Sequence, residues 1–160
     1  MQPHRDSLYK NGYTLNHICG NVLKCYKTDA TEICLLVPNS PFRTPSDLRK
    51  AYRLFRKEDA NFLVSVKPYD KPPQLALEIN KGFVKPKWGH KSIQNSQQLS
   101  TLYYEDGSIC FAKITAFIDE FDKNFLGSKC LPYILPYPTV DIDTKEDYEC
   151  AKYLWEQFKR

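Results

Sequence analysis

The sequence predicts an α/β protein organised around a parallel sheet. Two short apolar runs, "EICLLV" at 32–37 and "NFLVSV" at 61–66, have the composition of buried strands. Between them, "PSDLRKAYRLFRKED" places apolar residues at helical spacing. Strand, helix and strand in this order form a βαβ unit, for which parallel strands and a right-handed crossover are expected.

Composition indicates one globular domain over residues 1–160. The hydrophobic fraction of 42% and the charged fraction of 26% are ordinary, and the net charge of +4 is small. The Lys and Arg residues are dispersed along the chain, which argues against a nucleic-acid partner. The sequence has no apolar run of about 18 residues and no signal peptide, so we expect a cytoplasmic protein without a membrane partner.

Further elements follow from local signals. Thr14 is expected to begin a helix over "LNHICGNVLKCY", whose apolar residues at helical spacing are Leu15, Ile18, Val22 and Leu23. Thr44 is expected to cap the helix that has Pro45 at its first position. "GSICFA" and "KCLPYILPY" have strand character, and Thr144 with Asp147 has capping-box spacing ahead of a last helix.

Residues 68–100 are interpreted as an excursion from the sheet. "LALEINKGFVKP" predicts a hairpin turning near 80–82, and the polar stretch that follows it lacks periodicity. The excursion could form a partner surface or be a solvated loop, and the residues leave both interpretations open. The six cysteines form no C-x-x-C pair and are interpreted as mostly buried thiols rather than disulfides or zinc ligands.

Three polar segments are candidates for a ligand site, because open α/β sheets bind ligands beyond the carboxyl ends of their strands. They are "PNSPFRT" with Asn39 and Ser40, the "YEDG" segment, and "DID" before the last helix. The first could equally be a strand-to-helix loop that is merely capped.

Asp141 and Asp143 stand two residues apart, a spacing at which extended backbone directs both side chains to the same side. Two converging carboxylates repel each other unless a cation or a proton lies between them. Mg²⁺ accepts one or two carboxylates and leaves its other positions to water and phosphate. The alternative is a helix start, where the dipole favours a negative charge. That alternative explains Asp143 and leaves Asp141 unexplained.

The order of four motifs resembles one enzyme family. "LLVPNSPFRT", "ANFLVSV", "YYEDGSICFAKI" and "VDIDTKEDYECA" are similar to segments of the acylneuraminate cytidylyltransferases, which activate nine-carbon acidic sugars such as sialic, legionaminic and pseudaminic acids. The resemblance extends from about residue 10 to the C-terminus. It implies a three-layer α/β/α, Rossmann-like nucleotide-diphospho-sugar transferase fold, with 68–100 as a dimerisation excursion in a homodimer.

The resemblance also implies a reaction and a site. CTP and the sugar acid would give the CMP-sugar and pyrophosphate, with Mg²⁺ held by Asp141 and Asp143, the residues assigned to catalysis. Substrate binding is assigned to Asn39, Ser40, Tyr104 and Phe125.

Several departures accompany the resemblance. The family's Gly- and Lys-rich phosphate loop has no counterpart here, so we expect an N-terminally truncated fold whose first strand is an exposed edge prone to association. Asp106 replaces the asparagine of an N-G motif, and simple sialic acid is a poor guess for the substrate. The alternatives are a non-catalytic remnant that binds or dimerises, and a transferase for another sugar such as an octulosonate.

Overall fold

The computed structural model describes residues 14–26, 28–89, 99–121 and 124–158. The helices are α1 (Leu15–Cys25), α2 (Pro45–Lys57), α3 (Ile114–Asp119) and α4 (Lys145–Phe158). The strands are β1 (Glu32–Leu35), β2 (Phe62–Pro68), β3 (Leu77–Asn80), β4 (Phe83–Pro86), β5 (Tyr103–Lys113) and β6 (Cys130–Ile134). A single 3₁₀ turn at Pro73–Leu75 precedes β3.

The main sheet has the order β1-β5-β2-β6 and is mixed, so the prediction of a parallel sheet is wrong in one strand. β5 pairs antiparallel with β1, from Glu32 opposite Lys113 to Leu35 opposite Cys110. β5 is also antiparallel to β2. The Lys113 N–H donates to the Asn61 carbonyl just before β2, and the Ile109 N–H donates to the hydroxyl of Ser65, further along β2. β1 and β2 therefore share a direction, as the βαβ unit predicts, but β5 separates them.

β6 begins beside the beginning of β2. The N–H of Asn61 donates to the Lys129 carbonyl at 3.2 Å, and Lys129 directly precedes β6. Two strands whose starts are adjacent run in the same direction. The carboxyl ends of β1, β2 and β6 consequently point the same way.

Helices cover both faces of the sheet, and the predicted α/β class is confirmed. On one face, Ala51 and Phe55 of α2 form a core cluster with Leu63 and Phe111. On the other face, the ring of Phe62 packs edge-on against that of Phe125, with centroids 6.4 Å apart, and Phe125 in turn contacts Phe117 of α3. Consecutive strand residues point to opposite faces, so Phe62 and Leu63 place one core on each side.

The capping signals at α2 predict its start correctly. Thr44 is the N-cap, Pro45 is the first helical residue, and the backbone N–H of Asp47 donates to Thr44 Oγ1 at 3.2 Å. Asp47 Oδ2 in turn accepts from the Thr44 N–H at 2.8 Å. This reciprocal pair is a capping box with Asp in place of Glu.

The buried side of α1 differs from the predicted one. Leu15 and Val22 are 41% and 49% exposed, whereas Asn16 is buried and donates through Nδ2 to the Phe121 carbonyl at 2.9 Å. Gly20 lies against the same phenylalanine ring, where a Cβ would approach Cε2 to 2.6 Å. The helix therefore packs through a small residue and an amide, a face that apolar periodicity does not detect.

The chain divides into two compact units, residues 66–105 and the remainder. The predicted excursion at 68–100 falls inside the first of these. Its hairpin pairs Asn80 with Phe83, so the turn is Lys81–Gly82, in agreement with the predicted position. Both turn residues have positive φ, 48° and 82°, as a two-residue hairpin turn of type I′ requires.

The six cysteines are free thiols, but the prediction that most are buried is wrong. Cys110 is buried, whereas Cys25, Cys34 and Cys150 are exposed. Within the described residues, no helix combines the length and the apolarity needed to cross a membrane.

Candidate functional site

Two predicted polar segments lie against each other in the structure. The loop after β1 carries Asn39 and Ser40, and the segment after β6 carries Asp141 and Asp143. The N–H of Ile142 donates to the Asn39 carbonyl at 2.9 Å, which joins the two segments through their backbones. Both segments follow strands that run in the same direction, so they meet at one edge of the sheet.

Side chains reinforce this junction. Asn39 Nδ2 donates to Asp143 Oδ1 at 3.1 Å. Ser40, a residue that is 2% exposed, lies close enough to Asp141 for its hydroxyl to lower the pKa of that carboxyl. The structure thus brings together four of the six predicted site residues, and the carboxylate of Asp143 has a hydrogen-bond partner on the facing loop.

The electrostatics of Asp141 indicate a concentration of negative charge. Desolvation raises the pKa of its carboxyl above the ordinary value, and the neighbouring charge of Asp143 raises that pKa further. Smaller contributions from Asp106 and Asp147 have the same sign, and the hydroxyl of Ser40 acts against them. A cation at this position would relieve the repulsion between the carboxylates.

Helix capping does not use the Asp143 side chain. Thr144 and Asp147 form the capping box of α4: Asp147 Oδ2 accepts from the N–H and the hydroxyl of Thr144, each at 2.8 Å. The same oxygen accepts from the Asp143 N–H at 3.2 Å. Because Asp147 satisfies the end of the helix, the carboxylate of Asp143 is directed to Asn39 instead.

The segment that carries the two aspartates is anchored at alternate residues. Tyr137 donates its hydroxyl to the carboxylate of Asp47, and Thr139 donates its hydroxyl to Asp106 at 3.0 Å. Asp141 and Asp143 continue the series toward the loop after β1. Tyr137 and Thr139 were not predicted as anchors, although the period-two spacing that relates the two aspartates continues back through them.

Asp106 has a different environment from the one that its sequence position suggests. Its carboxylate accepts hydrogen bonds from the hydroxyls of Ser65, Ser108 and Thr139 and from the backbone N–H of Ser108. Ser65 and Ser108 are 0% and 1% exposed. Neither serine is identified by a motif, because their contribution arises only when β2 and β5 pair.

The other two predicted substrate-binding residues, Tyr104 and Phe125, each contact other aromatic rings. Tyr104 belongs to the unit formed by residues 66–105, where its ring lies 4.9 Å from that of Tyr69. Phe125 is 2% exposed and packs between Phe62 and Phe117, so the fold uses its ring in the core. A role for either residue in substrate binding stays a prediction.

The donor set at the junction fits a hard cation with few protein ligands. Asp141 and Asp143 are both exposed and offer carboxylate oxygens. Within the described residues, no group of three or more His, Cys, Asp or Glu side chains is arranged to hold a metal. Two carboxylates with the remaining positions open match the way proteins hold Mg²⁺ rather than Zn²⁺ or Ca²⁺.

The fold and the site define an α/β protein whose polar loops and carboxylate pair lie beyond the carboxyl ends of sheet strands.

No model of a protein family matches the chain. Pseudaminic acid cytidylyltransferases from two strains of Campylobacter jejuni are 29% identical to it over 125 residues, which are 77% of this chain and 53% of theirs. The N-acylneuraminate cytidylyltransferase of Escherichia coli is 27% identical over 126 residues, 78% of this chain and 30% of that protein.

These matches confirm the resemblance found in the sequence motifs. The chain is similar in sequence to pseudaminic acid and N-acylneuraminate cytidylyltransferases. It spans about half the length of the Campylobacter relatives that it matches.

Proposed function

We propose that the chain is part of a cytidylyltransferase that converts CTP and a nine-carbon acidic sugar into a CMP-sugar and pyrophosphate. The observation that carries the proposal is the junction at which Asn39 binds Asp143 and accepts from the Ile142 N–H, with Ser40 beside Asp141. The relatives are cytidylyltransferases, which supplies the reaction class, and pseudaminic acid is the first sugar to test. We propose a cytoplasmic location for this activity.

In this proposal, Asp141 and Asp143 would hold Mg²⁺. When bound, the ion would supply positive charge that neutralises the phosphate chain of CTP, which is the main requirement of nucleotidyl transfer. The amide of Asn39 holds the Asp143 carboxylate through a 3.1 Å hydrogen bond, and the hydroxyl of Ser40 lowers the pKa of the Asp141 carboxyl, which favours its charged form. The protein thus fixes the charge of Asp143 before any ligand arrives, which lowers the cost of ordering it.

The sugar contacts and the subunit assembly are also proposals. We assign Tyr104 and Phe125 to the sugar-binding side by resemblance. The exposed apolar side chains of the hairpin, including Ile79 at 78% and Phe83 at 80%, support its use as a homodimer contact. A surface of this kind is costly to leave in water.

The test follows pyrophosphate release from purified chain incubated with CTP, MgCl₂ and a panel of pseudaminic, legionaminic and N-acetylneuraminic acids. We expect release with at least one sugar, reduced by two orders of magnitude or more in Asp141→Asn and Asp143→Asn. Asp119→Asn is the control, because it removes an exposed carboxylate at the end of α3 without touching the junction.

Turnover that survives both substitutions at the junction would contradict the assigned metal site. Absence of turnover with every sugar, together with absence of CTP binding by calorimetry, would instead favour a non-catalytic module that only binds or dimerises.

A further inference from the structure

The carboxylate of Asp106 joins three segments of the chain. Ser65 belongs to β2, Ser108 belongs to β5, and Thr139 belongs to the segment between β6 and α4. All of them donate to Asp106, at 3.1 Å from the Ser108 N–H and its hydroxyl and at 3.0 Å from Thr139. Since both serines are buried, these hydrogen bonds are shielded from competing water.

The hydrogen-bond donors around Asp106 require that at least one oxygen of its side chain, Oδ1, acts as an acceptor. Oδ1 receives the Ser108 backbone N–H, which cannot reverse its role, and the hydroxyl of Ser65. The Ser65 oxygen already accepts from the Ile109 N–H at 2.8 Å, which directs its proton toward Asp106. Oδ2 faces two hydroxyls, from Ser108 and Thr139, which can turn to accept. A carboxylate satisfies all four donors at once.

Thr139 transmits this anchoring to the candidate metal ligands. It lies two residues before Asp141, and the same segment is next held by the Ile142 N–H on the Asn39 carbonyl. We propose that Asp106 is a positioning residue that fixes the segment 139–143 through Thr139 and so sets the geometry of the Asp141 and Asp143 carboxylates. This inference rests on the proposed function, and in it Asp106 touches neither metal nor sugar.

The closing experiment uses two readouts on the purified chain. The first is the dissociation constant of Mn²⁺, a spectroscopic probe for the magnesium position, followed by electron paramagnetic resonance. The second is hydrogen exchange of the Ile142 amide in the metal-free protein, measured by NMR. The second readout does not depend on any metal binding.

Thr139→Val is the central variant, because it removes one hydroxyl at nearly constant volume and leaves Asp106 three donors. We expect about a tenfold weaker Mn²⁺ affinity, as for other residues that orient metal ligands. Exchange of the Ile142 amide should become about fivefold faster, the effect of losing one net hydrogen bond. Thr139→Ser keeps the hydroxyl and should restore both values, which a purely steric role of the threonine methyl would not do.

Asp106→Asn should weaken Mn²⁺ binding in the same direction, and the double variant with Thr139→Val should show less than the sum of the two effects. Glu120→Gln is the matched control, because Glu120 also holds a loop through the N–H and hydroxyl of Ser128. It should leave both readouts unchanged.

Two results would overturn the inference. One is unchanged Ile142 exchange in Thr139→Val. The other is weaker Mn²⁺ binding in Asp106→Asn together with normal binding in Thr139→Val, which would make Asp106 a direct ligand. If the unmodified chain binds no Mn²⁺, or if Asp141→Asn and Asp143→Asn change nothing, the proposed metal site fails, and Ile142 exchange alone decides the positioning role.

Discussion

The spacing Thr-x-x-Asp occurs at two helix starts in this chain and serves each one differently. Thr44 with Asp47 begins α2, and Thr144 with Asp147 begins α4. Asp47 is 3% exposed and accepts a further hydrogen bond from Tyr137, whereas Asp147 lies at a more open position. The same local motif is therefore a tertiary anchor in one helix and a local cap in the other.

Asp47 should make the free energy of unfolding depend on pH. Desolvation acts to raise the pKa of its carboxyl, but hydrogen bonds from Thr44 and Tyr137 outweigh that effect and hold the pKa below the ordinary value. A depressed pKa stabilises the fold above the unfolded-state pKa of about 3.9, and this stabilisation is lost as pH falls through the folded-state value. Asp47→Asn should lower the free energy of unfolding by about 1–2 kcal/mol at neutral pH and by less in acid.

Urea unfolding at neutral pH and at about pH 3 measures this difference. Asp147→Asn is the comparison, since it removes the same capping carboxylate without a partner like Tyr137, and a smaller loss is expected. Equal losses in the two variants, or a loss for Asp47→Asn that grows in acid, would contradict the anchoring role of Asp47.

Among the elements, the β3–β4 hairpin depends on the backbone of its turn. Gly82 has φ of 82°, and a Cβ added there would meet nothing within 4 Å, so backbone conformation alone decides the cost of a side chain. Gly82→Ala should destabilise the hairpin by about 1–2 kcal/mol. Lys81→Asn should stabilise it by a few tenths of a kcal/mol, because asparagine tolerates the φ of 48° better than lysine does.

Exchange of the Lys87 amide is a suitable reporter of this hairpin, because that N–H donates to the Ala76 carbonyl at 2.8 Å at its open end. Exchange should accelerate in Gly82→Ala and slow in Lys81→Asn. Opposite signs for the two variants are the essential result, and changes of the same sign would show that the turn does not control the hairpin.

The helix starts and the hairpin turn could be predicted because their signals are local. Thr44 with Pro45, and Lys81 with Gly82, determine backbone geometry through residues close in sequence. The sheet order could not be predicted in this way. β1 has an apolar run typical of a buried parallel strand, yet its one neighbour among the described residues is the antiparallel β5, which is far away along the chain.

The candidate site was predictable to a similar extent. Motif order and period-two spacing identified Asp141 and Asp143 and the facing loop with Asn39 and Ser40. The supporting residues Ser65 and Ser108 were not identifiable, because isolated serines in strands carry no signal until their neighbours are known. Family resemblance also drew attention to Asp106 as a change in a sugar pocket, where the structure shows an acceptor surrounded by donors.

At the scale of the whole molecule, the unit of residues 66–105 exposes a large apolar surface. Ile79 and Val84 form a cross-strand pair and are 78% and 65% exposed, and Trp88 nearby is 58% exposed. We expect the chain to self-associate through this surface, because contiguous exposed apolar area favours contacts that remove it from water.

Light scattering across a concentration series tests this expectation. Ile79→Lys should shift the chain toward the monomer without loss of stability, since the position is already exposed. Leu36→Lys introduces a charge just after the edge strand β1. It tests a second route of association, through the open edge of the sheet. A chain that is monomeric before any substitution would count against both routes.

β5 occupies the centre of the sheet but is synthesised after both of the strands that it separates. β1 and β2 are not neighbours in the sheet, so they have no strand to link them until residues 103–113 insert between them. The sheet therefore cannot grow in the order in which the chain leaves the ribosome, and the entropy of closing long loops must be lost before its central pairings form. An early intermediate with α2 formed and two unpaired strands is the expected result, and it would be the stage most exposed to misassembly and most in need of a chaperone.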